Sequence, residues 1–199
     1  MEPAALPVIG LTGGMGAGKS TALAALRRLG AAVLSTDAVV HELYEEGQLR
    51  DELIERWGEE VAPAGVIDRA AVARHAFASE QDRAWLEGLL WPLVGARVAA
   101  WLTQVRAARP RPRAAVVEVP LLFESGQQQL YDATIAVIAD EQLRRGRADA
   151  RGHALADERA ARQLAQPEKA RRASFVVLND GTEADLEHEL SVVLDKLGA

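Results

Sequence analysis

The chain contains no cysteine, two methionines and few aromatic residues, 5% by count. Without cysteine there is no disulfide, no zinc–thiolate site and no thiol nucleophile, which fits a reducing compartment. No apolar run approaches the roughly 20 residues that a membrane-spanning helix needs. Met1 to Pro7 carries no basic stretch, and glycines interrupt the apolar segment that follows, so no secretory leader is expected and the chain reads as cytoplasmic. An excess of basic residues is also missing. Lys and Arg number 23 against 29 Asp and Glu, a formal net charge of −6. That balance argues against a nucleic-acid partner. An acidic protein that binds an anion has to build its positive potential locally.

What is present is ordinary globular composition, 49% apolar and 26% charged over 199 residues, enough for one domain with inserted subdomains. Val8 to Thr12 reads as a short buried strand. A glycine cluster follows, then a helix from Lys19 to Leu29 with Leu23, Leu26 and Leu29 at helical spacing and Gly30 as its stop. Ala31 to Leu34 reads as a second strand. From Ala38 to Arg109 the pattern is helical, with segments at Ala38–Glu46, Leu49–Trp57, Arg69–Phe77 and Glu80–Ala108, the last expected to break or kink at Pro92. Strand returns at Ala114–Val119, Thr134–Ile138 and Phe175–Leu178. Asp140 to Arg172 reads as helical and Arg-dense, and Thr182–Leu197 as a closing amphipathic helix. Strand–loop–helix–strand is the opening of a parallel α/β sheet, and the all-helical stretch reads as an insertion over it.

Gly13-Gly14-Met15-Gly16-Ala17-Gly18-Lys19-Ser20 satisfies G-x-x-x-x-G-K-[ST], after a strand and opening a helix. Glycines let successive backbone N–H groups turn inward as an anion nest, and the helix N-terminus adds its positive end. Lys19 brings a charge to the β- and γ-phosphates, and Ser20 offers a hydroxyl to Mg²⁺. The candidate phosphate-binding set is Gly14, Met15, Gly16, Ala17, Gly18, Lys19, Ser20 and Thr21. No Asn-Lys-x-Asp stands in the chain, which argues against a guanine-nucleotide switch, and the length is short for a motor. Small-metabolite kinases remain, and these need a carboxylate at the acceptor and arginines over the transferring group. Asp37 follows the second strand, where ligands bind in open α/β sheets. It fits a base for the acceptor hydroxyl, and it equally fits the N-cap of the helix after it. Glu118, inside an apolar strand, resembles the Walker-B position and fits Mg²⁺ through water, or else an exposed sheet edge. Arg147 and Arg151 share a helix face among Arg144, Arg145, Arg159 and Arg162, most of which fit a solvated surface. A kinase for another acceptor, such as a nucleoside monophosphate, and a protein that only senses ATP are the alternatives.

Leu11 to Thr21, Gly65-Val66-Ile67-Asp68-Arg69, Leu86 to Pro92, Val119-Pro120-Leu121-Leu122-Phe123-Glu124, Arg159 and Gln163, Lys169 and Asn179-Asp180-Gly181 together resemble the dephospho-CoA kinases. The resemblance runs in order over essentially the whole chain and is most specific at Pro120 to Glu124. It implies a three-layer P-loop kinase fold of class α/β with a parallel sheet. The implied domains are a nucleotide-binding core of 1–37, 111–140 and 173–199, a helical acceptor domain of 38–110 and a helical lid of 141–172. It implies transfer of the ATP γ-phosphate to the ribose 3′-hydroxyl of dephospho-CoA with Mg²⁺, the last step of coenzyme A synthesis. A monomer with no nucleic-acid or membrane partner is expected. In that pattern Asp37 matches the catalytic aspartate, Arg147 and Arg151 the lid arginines, and Asn179 the segment bordering adenine. Asp68, Arg69 and Glu124 are candidates for the acceptor side. Departures stand at Ser35, His41, Trp91 and Ser174, where the family usually has other residues.

Overall fold

The computed structural model describes residues 5–149 and 162–199. Five parallel strands form one sheet in the order β2-β3-β1-β4-β5: β1 Val8–Gly13, β2 Ala32–Ser35, β3 Ala115–Glu118, β4 Ala133–Ile138 and β5 Phe175–Leu178. β1, β3 and nearly all of β4 are buried, as expected of near-continuous apolar strands covered on both faces. The register sets Leu11 and Ser35 opposite Glu118 and Gly13 opposite Val137, so the carboxyl ends of four strands share one edge. Helix α1, Lys19–Arg28, packs Ala22, Ala25 and Leu26 onto Ile9, Leu11 and Val116. Gly30 at φ +90 closes α1, its N–H donating to Arg27 O and that of Ala31 to Leu26 O, the left-handed stop that glycine permits.

The described residues divide into two compact units, 1–35 with 102–199 and 36–101. The second unit holds α2 Thr36–Glu45, α3 Gln48–Trp57, α4 Arg69–Ala78 and most of α5 Glu80–Ala107. Its core includes Val39, Leu43, Leu53, Val61, Val72 and Leu86, with Trp57 stacked on His75 and edge-on to Trp85. Of the break or kink expected at Pro92, the break does not occur: α5 runs as one 28-residue helix through it. α2 begins at Thr36, so Asp37 lies inside its first turn and not at the cap before it.

The first unit continues with α6 Glu141–Asp149, α7 Gln166–Arg172 and α8 Glu183–Lys196. Residues 162–165 are not helical, so the helix expected from Asp140 to Arg172 is not continuous. α8 starts on a capping box between Thr182 and Asp185 and buries Leu186, Leu190 and Leu194, spaced four apart, against the sheet. No helix among the described residues is long and apolar enough to cross a membrane.

Tyr131 packs where Gly10 leaves room, since a Cβ at Gly10 would lie 2.9 Å from the ring. Burial pushes its phenol up to about 12 from 10.0. A folded value above the unfolded one leaves stability intact below pH 10 and removes it as the pH rises toward 12. The urea midpoint should therefore fall over that window in the wild type and fall less in Tyr131→Phe.

Candidate active site

The phosphate loop leaves the carboxyl end of β1 and enters α1. Gly16 and Gly18 hold φ +74 and +95, conformations that side chains rarely adopt. Space is closed as well. A Cβ on Gly13 would meet Val137 O at 2.5 Å, one on Gly16 would meet Arg144 O at 2.3 Å, and one on Gly18 would meet Asn179 Nδ2 at 1.9 Å. The glycines thus serve both backbone direction and close approach of neighbouring chain. Ala17 N donates to Gly14 O, tightening the turn, and Lys19 Nζ donates to Gly13 O at 3.1 Å and Gly14 O at 3.4 Å. The ammonium therefore lies back against the loop's own carbonyls. Ser20 is exposed at the head of α1 and Thr21 is half-buried.

Three side chains from later in the chain grip this loop. Arg144 Nε donates to Met15 O at 3.0 Å. Gln163 Oε1 accepts from Met15 N at 3.1 Å. Asn179 Nδ2 donates to Ala17 O at 2.8 Å, and its own carbonyl accepts from Arg147 Nη1 at 3.2 Å. Arg144, Arg147 and Lys19 thus gather positive charge at one loop of a chain whose total is −6. The sequence singled out Arg147 and Asn179. It passed over Arg144 as surface and gave Gln163 no role, since nothing local separates Arg144 from the arginines around it. Arg151 lies outside the described residues.

Glu118 is 6% exposed on β3, an inner strand, so the exposed-edge alternative is excluded. Ser35 Oγ donates to Glu118 Oε2 at 2.6 Å, giving this departure from the family pattern a partner at the strand ends. Asp37 is exposed in the first turn of α2. It follows Ser35 by two residues in the chain. Among the described residues no group of three or more His, Cys, Asp and Glu could hold a metal. A hydroxyl and a buried carboxylate are instead the hard, sparse donor set suited to Mg²⁺, which keeps waters and takes its remaining ligands from phosphate.

The other candidates are occupied locally. Asp68 caps α4, Oδ1 accepting from Ala70 N and Ala71 N, and Arg69 Nη1 lies 2.7 Å from His41 Nδ1. Glu124 accepts from Lys169 Nζ at 2.8 Å and Leu164 N at 2.7 Å. Ser174 and Thr134 bind each other through hydroxyls and amides across β4 and the start of β5, and Trp91 is half-exposed.

Gly18→Ala combines a left-handed backbone with a clash on Asn179. It is expected to weaken ATP binding at least tenfold by titration calorimetry, from a strain of about 1–2 kcal/mol at such a φ with the clash added. Gly88→Ala, where nothing lies within 4 Å of the added Cβ, should leave binding unchanged.

Residues 7–185 match the family model described as dephospho-CoA kinase. Dephospho-CoA kinase of Deinococcus radiodurans is 38% identical over 192 residues, covering 95% of this chain and 91% of its own. That of Anaeromyxobacter dehalogenans is 41% identical over 179 residues, covering 87% and 84%. A crystal structure of a Thermus thermophilus protein superposes with a TM-score of 0.80 at 33% identity, over 96% of this chain and 98% of that one. With a phosphate loop on a parallel five-stranded sheet and relatives matched along nearly their whole length, the chain belongs to the dephospho-CoA kinase family.

Proposed function

We propose that the protein transfers the γ-phosphate of ATP to the 3′-hydroxyl of the ribose of dephospho-CoA, giving coenzyme A and ADP, as a cytoplasmic monomer. The observation that carries this reading is the glycine-lined loop of 13–20 with Lys19 across it and Arg144 and Arg147 beside it, in a chain of this family. Gly14 to Thr21 bind the phosphates through backbone N–H groups, and Lys19 neutralises charge on the β- and γ-oxygens. Ser20 would hold Mg²⁺ directly and Glu118 through water. When bound, the ion shields the negative charge of the β- and γ-phosphates. Asp37 orients the acceptor hydroxyl and accepts its proton as the new P–O bond forms and the bond to the β-phosphate oxygen breaks. Arg147, with Arg151, stabilises the charge spread over the transferring group. Asn179 stands on the adenine side, and Asp68 and Arg69 stand on the acceptor side in the helical unit.

The test is ADP release in the presence of Mg²⁺ and ATP with different acceptors. Dephospho-CoA should stimulate release strongly, and adenosine monophosphate should not. Equal stimulation by both would point to a nucleoside monophosphate kinase. ATP binding with no stimulation by any acceptor would point to a sensor.

A further inference from the structure

Lys169 on α7 is completely buried, an unusual place for a lysine. Its ammonium meets three acceptors: Glu124 at 2.8 Å, Pro120 O at 2.9 Å and Thr12 Oγ1 at 3.3 Å. That uses all three donors. Thr12 directly precedes the first glycine of the phosphate loop. Glu124 uses the same oxygen, Oε1, to accept from Leu164 N. The neighbour of Leu164 is Gln163, whose Oε1 accepts from Met15 N, while Arg144 holds the carbonyl of the same residue. Both polar groups of Met15, in the middle of the phosphate loop, are therefore fixed by side chains far away in sequence.

A buried ion pair rarely repays its desolvation as net stability. Burial pulls the Lys169 ammonium below the usual lysine range, with Glu124 opposing that shift. What the pair does supply is a fixed point for the backbone at Leu164. We infer that Glu124 and Lys169 are positioning residues for phosphoryl transfer: they hold Gln163 against the Met15 N–H and so set the shape of the phosphate loop before ATP arrives. The inference rests on the reading of that loop as the ATP site. It assigns Glu124 to the nucleotide side instead of the acceptor side. The competing role would use Glu124 Oε2, which is buried with no hydrogen-bond partner among the described residues.

The experiment pairs Gln163→Leu with Glu124→Gln and reads three quantities: hydrogen exchange at the Met15 amide in the ligand-free protein, and KM for ATP and for dephospho-CoA. Loss of one backbone-holding hydrogen bond is worth roughly three- to tenfold. Both variants should speed Met15 exchange and raise KM for ATP by about that factor, with KM for dephospho-CoA within about twofold of wild type. Unchanged Met15 exchange in Gln163→Leu would overturn the inference. So would a Glu124→Gln protein that raises only the dephospho-CoA KM, which is the signature of an acceptor contact. If Glu124→Gln does not fold, the double variant Glu124→Leu/Lys169→Met, which removes the bond to Leu164 N without stranding a buried charge, takes its place with the same expected and overturning results. A wild type that makes no coenzyme A would defeat the functional reading separately, because amide exchange reports the loop without turnover.

Discussion

Asp37→Asn is expected to lower kcat by about 10²–10⁴-fold, the usual worth of a positioned general base, with ATP affinity nearly unchanged. The substitution keeps shape and removes the charge and most of the basicity. Fold damage should be small. Asp37 is exposed in the first turn of α2, where a carboxylate gains about 0.3–1 kcal/mol from the helix terminus. A melting point within a few degrees of wild type, together with a kcat loss of that size, separates catalysis from stability. Because the proposed nucleotide site is 13–21, away from Asp37 in the chain, the ATP dissociation constant should stay within about threefold. Full transfer by a folded Asp37→Asn would remove the base role and leave only positioning by neighbouring groups.

Lys19→Ala is expected to fail earlier, weakening ATP binding and lowering kcat/KM by at least about 10²–10³-fold, the cost of removing one donor aimed at developing charge. In the structure the ammonium donates to Gly13 O and Gly14 O, so the substitution also takes a clasp from the loop. Lys19→Arg should not restore activity, because a planar guanidinium cannot reproduce a compact charge in a loop closed by Val137, Arg144 and Asn179. Calorimetry with ATP and steady-state rates check both statements. Near-normal ATP affinity in Lys19→Ala would place the main phosphate contact on Arg144 and Arg147.

The parts legible in the sequence were those written locally. An apolar strand, glycines at fixed spacing and a leucine-striped helix sufficed for β1, the loop and α1, and the parallel sheet followed from their repetition. The start of α2 was misread by two residues because Asp37 suits a cap and a first turn equally. Pro92 fits either a break or a kink on a local rule, and only the length of α5, 28 residues across it, excludes the break. The residues that the sequence leaves without a role act across distance. Arg144 meets Met15 from 129 residues away, Gln163 from 148, and Lys169 reaches Thr12 from 157. No periodicity encodes such pairings. Lys169 in particular reads as one more charge on a charged helix until its burial is seen. Glu118 stands open in the sequence between a Walker-B position and an exposed sheet edge, and only the strand order, which makes β3 an inner strand with Ser35 opposite, decides for enclosure.

The central claim is the reaction itself. Purified protein with Mg²⁺, ATP and dephospho-CoA should yield coenzyme A and ADP in equal amounts by mass spectrometry, with the new phosphate on the ribose 3′-oxygen by phosphorus NMR. ADP without coenzyme A, or phosphate on any other oxygen, would contradict it.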